Sequence, residues 1–129
     1  MTTERIADHV KFAYWVPNVS GGLVTSTIEQ RTDWNYDYNA KLARTAENNG
    51  FEYALSQVRY EASYGAEYQH ESTSFSLALL LATERLKVIA AVHPGLWQPA
   101  VLAKLGATAD QISGGRFAVN VVSGWFKDE

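Results

Sequence analysis

Leu105-Gly-Ala-Thr-Ala-Asp-Gln-Ile-Ser-Gly-Gly-Arg116 runs into Phe117-Ala-Val-Asn-Val-Val122, and then into Ser123-Gly-Trp-Phe-Lys-Asp-Glu129. The first stretch has helical spacing and stops at a double glycine, where backbone can turn left-handed without a Cβ penalty. The second is apolar and rich in β-branched residues, which reads as a strand. The third turns polar and aromatic. Ligands of parallel α/β proteins sit at the carboxyl ends of strands. This segment therefore carries a fold unit and a candidate site together.

Working outward, the same unit recurs. Val10 to Val16 is β-branched or aromatic and ends at Pro17, which predicts a strand buried on both faces. Residues 18–35 form a polar connection with Gly21-Gly22, long enough to serve as a lid. Tyr38, Leu42 and Ala46 recur at i, i+4 and i+8 and predict a helix over Asp37 to Asn49, with Gly50 left-handed after its end. Phe51 to Val58 is a second strand, interrupted by Glu52, Ser56 and Gln57, and Arg59 to Ser72 a second polar loop. Ser72 or Thr73 then caps a helix reaching Glu84. Phe75, Leu77, Leu79, Leu80 and Leu81 surround most of its circumference, which predicts burial on more than one side, within the chain or at a subunit interface. Leu86 to Val92 is the third strand. A helix from Gln98 to Ser113 carries the stripe Val101, Leu105, Ala109 and Ile112, and Arg116 to Val122 is the fourth strand.

Strands alternating with helices build a parallel sheet with right-handed crossovers. Two α/β architectures satisfy that order: a doubly wound open sheet, or part of a (β/α)8 TIM barrel. A complete barrel takes roughly 200 residues or more. The 129 residues form one domain, 1–129, and supply four of its eight strands. Open parallel edges would invite association, so a homo-oligomer is expected.

Composition excludes several classes. The chain is 47% hydrophobic and 19% charged, with net charge -3 and no two adjacent Lys or Arg residues. Nucleic-acid binding needs clustered positive charge, so no nucleic-acid partner is expected. Cysteine is absent, which removes disulfides and thiolate metal sites. The N-terminus lacks a signal-peptide core, and the longest apolar run is too short for a bilayer. A cytoplasmic protein with no membrane partner is the expectation. His9, His70 and His93 show no metal-ligand spacing, so no metal is expected. Neither a P-loop nor a Gly-x-Gly-x-x-Gly motif follows the first strand, and Val-Ser-Gly-Trp around Ser123 is not a hydrolase elbow.

Strand ends remain. Tyr14 and Trp15, Gln57 and Arg59, His93-Pro94, and Asn120 with Ser123 would converge on one face of a parallel sheet. Aromatic surface, amide, hydroxyl and imidazole together suit a flat heteroaromatic ligand better than a metal or a bare phosphate. Four Trp, seven Tyr and five Phe residues add to this. Trp15, Trp34 and Trp125 are the candidates for an apolar substrate wall. Arg31 and Arg59 could serve an anionic head, or be solvated.

The run Ala91-Val-His-Pro-Gly-Leu-Trp-Gln-Pro-Ala100, the Asp-Gln-Ile-Ser-Gly-Gly-Arg helix end and the Asn-Val-Val-Ser strand resemble the bacterial-luciferase-like flavin-dependent monooxygenases. The Trp-Val-Pro-Asn-Val-Ser-Gly-Gly segment after strand one is similar to the sulfur-scavenging branch of that family. The resemblance implies the N-terminal half of a (β/α)8 barrel and a two-component system. A separate NAD(P)H-dependent FMN reductase would supply FMNH2, and O2 would be the co-substrate. It implies oxygenation of a small organosulfur compound: dimethyl sulfone, cleaved to methanesulfinate and formaldehyde, or alternatively an alkanesulfonate. A catalytically incomplete piece acting only in assembly is a further alternative. Carried onto this chain, it places Asn120, Ser123 and Gln57 at the flavin and His93 as the catalytic residue beside it.

Overall fold

In the computed structural model, residues 9–129 are described. Four strands form one sheet: β1 (Ala13–Trp15), β2 (Tyr53–Ser56), β3 (Lys87–Val92) and β4 (Phe117–Val121). Helices α1 (Tyr36–Asn48), α2 (Ser72–Ala82) and α3 (Pro99–Ser113) connect them, with short 3-10 turns at Ser20–Leu23 and Pro94–Leu96. The strand order is β1-β2-β3-β4 and every neighbouring pair is parallel. A doubly wound sheet reverses its direction of growth at a switch point. Here each strand simply adds beside the last, which decides between the two architectures in favour of a barrel arc.

Period-2 alternation then sorts the strand residues onto two faces. Tyr14, Val16, Ala54, Val88 and Phe117 face the helices, where they meet Ala43, Phe75, Leu79, Leu80 and Leu86 in one core. Trp15 and Leu55 share a register with Ile89 and Ala118 on the opposite face, and Ala91 pairs with Asn120 one layer further along. That second face is free of helices and holds the pocket described below.

The observed elements correct several expectations. β1 covers three residues rather than Val10 to Val16, and it is not buried on both faces: Phe12 and Trp15 are exposed. Among the described residues it pairs with β2, and only residues 13–15 find ladder partners there. β2 is likewise shorter than Phe51 to Val58. The cap of α2 is neither Ser72 nor Thr73 but Glu71, whose carboxylate accepts from Thr73 N and Ser74 N at 2.9 and 2.8 Å. Burial alone would raise the Glu71 carboxyl, but these N–H groups and the Thr73 hydroxyl outweigh it and hold it below the usual carboxylate range. On α2, Phe75, Leu79 and Leu80 are buried while Leu81 is 67% exposed, so burial does not close around the helix. On α3 only Ala109 of the expected stripe is buried; Val101 and Ile112 are exposed. α3 packs on β4, the last strand of the sheet, and among the described residues no further strand lies beyond it. As expected, Gly50 takes φ +87° after α1.

Two charged side chains tie the helical layer to the sheet. Glu47, in the last turn of α1, accepts from the backbone N–H groups of Glu84, Arg85 and Leu86 where the chain enters β3. Burial would raise its carboxyl, but the Arg85, Leu86 and Glu84 N–H groups and the Arg85 charge hold it lower than usual. A depressed carboxylate contributes stability above its unfolded-state value and loses it as pH falls through the folded one. Glu47→Ala is therefore expected to cost about 1–2 kcal/mol at neutral pH. The deficit should shrink in acid, when urea unfolding of the two proteins is compared across pH.

Arg116 does the same from the residue just before β4. Its Nε donates to Ser113 O at 2.8 Å, Nη1 to Leu86 O at 2.9 Å and Thr83 Oγ1 at 3.2 Å, and Nη2 to Leu80 O at 2.9 Å and Thr83 O at 3.2 Å. One guanidinium thus satisfies carbonyls at the ends of both α2 and α3.

Candidate active site

The pocket lies on the helix-free face of the sheet, at the carboxyl ends of its strands. Its wall comprises Trp15 from β1, Leu55 from β2 and Gln57 just after it, Ala91 from β3 and His93 just after it, and Asn120 from β4 with Val122 just after it. Arg59, Trp125 and Glu129 close its rim, and the enclosed volume is about 120 Å³.

Gln57 is the most constrained of these residues. Asn18 brackets its backbone: Asn18 Nδ2 donates to Gln57 O, and Gln57 N donates to Asn18 Oδ1, both at 2.9 Å. The Gln57 side chain donates from Nε2 to Val16 O at 3.0 Å, while Oε1 is buried without a partner. An unpaired buried amide oxygen costs free energy unless a ligand donor reaches it. His93 follows β3 directly, and Gly124 packs against its ring. At Gly124 φ is +82°, and an added Cβ would lie 2.8 Å from His93 Cε1. Only glycine allows that approach.

An ionic cluster sits at the rim. Arg59 is 6% exposed, not solvated. Its guanidinium lies over Phe126 and Trp125, with centroid distances of 4.4 and 5.0 Å, and Nη2 donates to Ser63 Oγ at 2.9 Å. Glu129 Oε1 lies 3.4 Å from Arg59 Nε and accepts from Tyr60 N at 2.9 Å. Glu129 Oε2 stands 3.8 Å from His93 Nε2.

The structure thus brings Trp15, Gln57, His93, Asn120 and Trp125 to one pocket. Ser123 is placed beside it, in a neighbouring groove that also contains His93, Pro94 and Trp125. Trp34 lies elsewhere. It stacks on Tyr68 (5.7 Å, 13°) and against His70 (4.8 Å), and His70 stacks on Phe75 (4.5 Å), so this aromatic ladder ties the first long loop to α2. Sequence reasoning missed Glu129 altogether. The signal available was an acidic residue nine positions beyond Asn120, but its value depends on the fold of the 122–129 segment.

Comparison with known proteins places this geometry. The luciferase-like monooxygenase profile matches residues 10–129. The chain belongs to that family. FMNH2-dependent dimethylsulfone monooxygenases of Pseudomonas fluorescens (strain Pf0-1) and Pseudomonas putida are each 70% identical to it over 120 residues. The match covers 93% of this chain and 33% of theirs, so the chain spans about a third of the length of these curated relatives. The structure of EDTA monooxygenase from Chelativorans sp. BNC1 superposes with a TM-score of 0.75 at 17% identity, over 90% of this chain and 30% of that one, a likeness of fold. In this luciferase-like chain the four strands are therefore part of a (β/α)8 barrel, and the helix-free face is the barrel interior. Among the described residues no helix is long and apolar enough to cross a membrane.

Proposed function

We propose that this chain is the flavin-ring and substrate portion of an FMNH2-dependent monooxygenase acting on dimethyl sulfone. The observation that carries this reading is 70% identity to two dimethylsulfone monooxygenases across the segment that builds the pocket. The pocket suits the ring of FMN. It offers apolar walls from Trp15, Leu55, Ala91 and Val122, and a buried Gln57 Oε1 with no partner to receive a ring N–H. Asn120 adds a second amide on the next strand. Reduced FMN supplies the two electrons that activate O2, and a separate NAD(P)H-dependent reductase provides it.

The residues of this chain hold the ring, exclude water and manage one proton. Dimethyl sulfone, O2 and FMNH2 give methanesulfinate, formaldehyde, FMN and water, through hydroxylation of one methyl carbon. The hydroxymethyl sulfone then collapses. Its O–H proton passes to the His93 imidazole, the O–H electron pair becomes the C=O bond, and the C–S pair leaves with the sulfinate. Trp15 and Trp125 wall the substrate, and Ser123 supports the flavin from the adjoining groove.

The test is turnover by the full-length protein with a flavin reductase, O2 and dimethyl sulfone. Formaldehyde and methanesulfinate in equal amounts are expected; uncoupled flavin oxidation without sulfinate sinks the proposal. Asn120→Ala is expected to weaken FMNH2 binding roughly 5–10-fold, as one lost ligand hydrogen bond would. Anaerobic flavin titration measures it.

A further inference from the structure

We propose that the buried Arg59–Glu129 pair sets the charge selectivity of the pocket, admitting a neutral, strongly dipolar ligand and disfavouring an anion. The inference rests on the sulfone reading above and adds the means of discrimination. Arg59 and Glu129 both line the pocket, and both side chains are 3% exposed. Arg59 is the single Lys or Arg among the described residues lining it. Its charge is already matched by Glu129, which two backbone N–H groups, of Tyr60 and Glu61, hold in place. Of the two adjoining grooves, one adds Glu61 and Glu71 and the other Lys127, which does not line the pocket itself. His93 Nε2 lies 3.8 Å from Glu129 Oε2, and Tyr60 packs edge-on against the imidazole.

Bringing an anion into this site removes its hydration and leaves the charge of the lining pair plus ligand at -1, with no second Lys or Arg in the lining to offset it. A sulfone faces no such penalty. Its two oxygens carry partial negative charge and accept hydrogen bonds, and Arg59 Nε is a buried donor without a hydrogen-bond partner. Dimethyl sulfone and methanesulfonate differ by one methyl group replaced by an anionic oxygen, so shape hardly distinguishes them and charge must. The same logic favours release: the sulfinate product is an anion, and the pair that tolerates the substrate repels it.

Calorimetric titration of the full-length protein with dimethyl sulfone and with methanesulfonate tests this without requiring turnover. Wild type is expected to bind the sulfone at least roughly tenfold more tightly than the sulfonate. Glu129→Gln frees the Arg59 charge and should tighten methanesulfonate roughly tenfold while moving the sulfone little. Arg59→Gln should weaken both, the sulfonate more. Equal wild-type affinities would overturn the inference even if neither variant folds. So would a Glu129→Gln protein that weakens both ligands by one factor, which is what a merely structural role predicts. Sulfone turnover with equal affinities counts against this inference alone, whereas the expected binding order without turnover counts against the assigned reaction alone.

Discussion

His93→Asn in the full-length protein is expected to lower kcat on the order of 10²–10⁴-fold, the range for loss of a positioned proton acceptor. KM for the sulfone and affinity for reduced FMN should change little. The geometry motivates that split. The imidazole is packed on one side by Gly124, on another by the Tyr60 ring edge at 6.0 Å, and has the Glu129 carboxylate 3.8 Å from Nε2. It is fixed by its surroundings, and Asn fills part of the same space without an equivalent base. Steady-state kinetics beside anaerobic flavin titration check it. A fall in flavin affinity matching the fall in kcat would make His93 a binding residue instead. Gly124→Ala is the companion variant: its Cβ displaces the ring and should reproduce much of the loss with His93 still present.

The second large effect concerns stability. Arg116→Ala is expected to cost about 3–4 kcal/mol, because removing a charged donor strands buried carbonyls as well as deleting bonds. Five hydrogen bonds leave at once; the Thr83 and Leu86 carbonyls lose their partner, and Leu80 O keeps only its long contacts with Thr83. Arg116→Lys should recover less than half, since an ammonium cannot span acceptors on α2, on the approach to β3 and on α3 together. Urea midpoints followed by Trp fluorescence measure both. A change below about 1 kcal/mol for Arg116→Ala would show that water replaces the guanidinium without loss.

Arg116 also shows how far the sequence could be read. Its position after Gly114-Gly115 marked a helix stop and a strand start, both of which are observed. Nothing local marked it as the clamp between α2 and α3, because its acceptors at the end of α2 and before β3 lie 30 or more residues earlier. Arg59 is a sharper case. As a lone cation in a polar loop it reads more readily as solvated than as functional. Its burial arises from Trp125 and Phe126, more than 60 positions away. Trp34 reads the same way as Trp15 and Trp125, yet the fold gives it Tyr68 and His70 as neighbours instead of the pocket.

The sequence by itself determined the alternation of strands and helices, the parallel sheet, and the residues at strand ends: Gln57, His93 and Asn120. These follow from periodicity and punctuation, which are local and act within a few residues. Only the tertiary structure decided the strand order that makes a barrel arc and the pairing of Arg59 with Glu129. Those depend on which segments meet across long loops. Contact between residues 30 to 70 positions apart is selected by the packing of the whole sheet and its helices, and no local pattern encodes it.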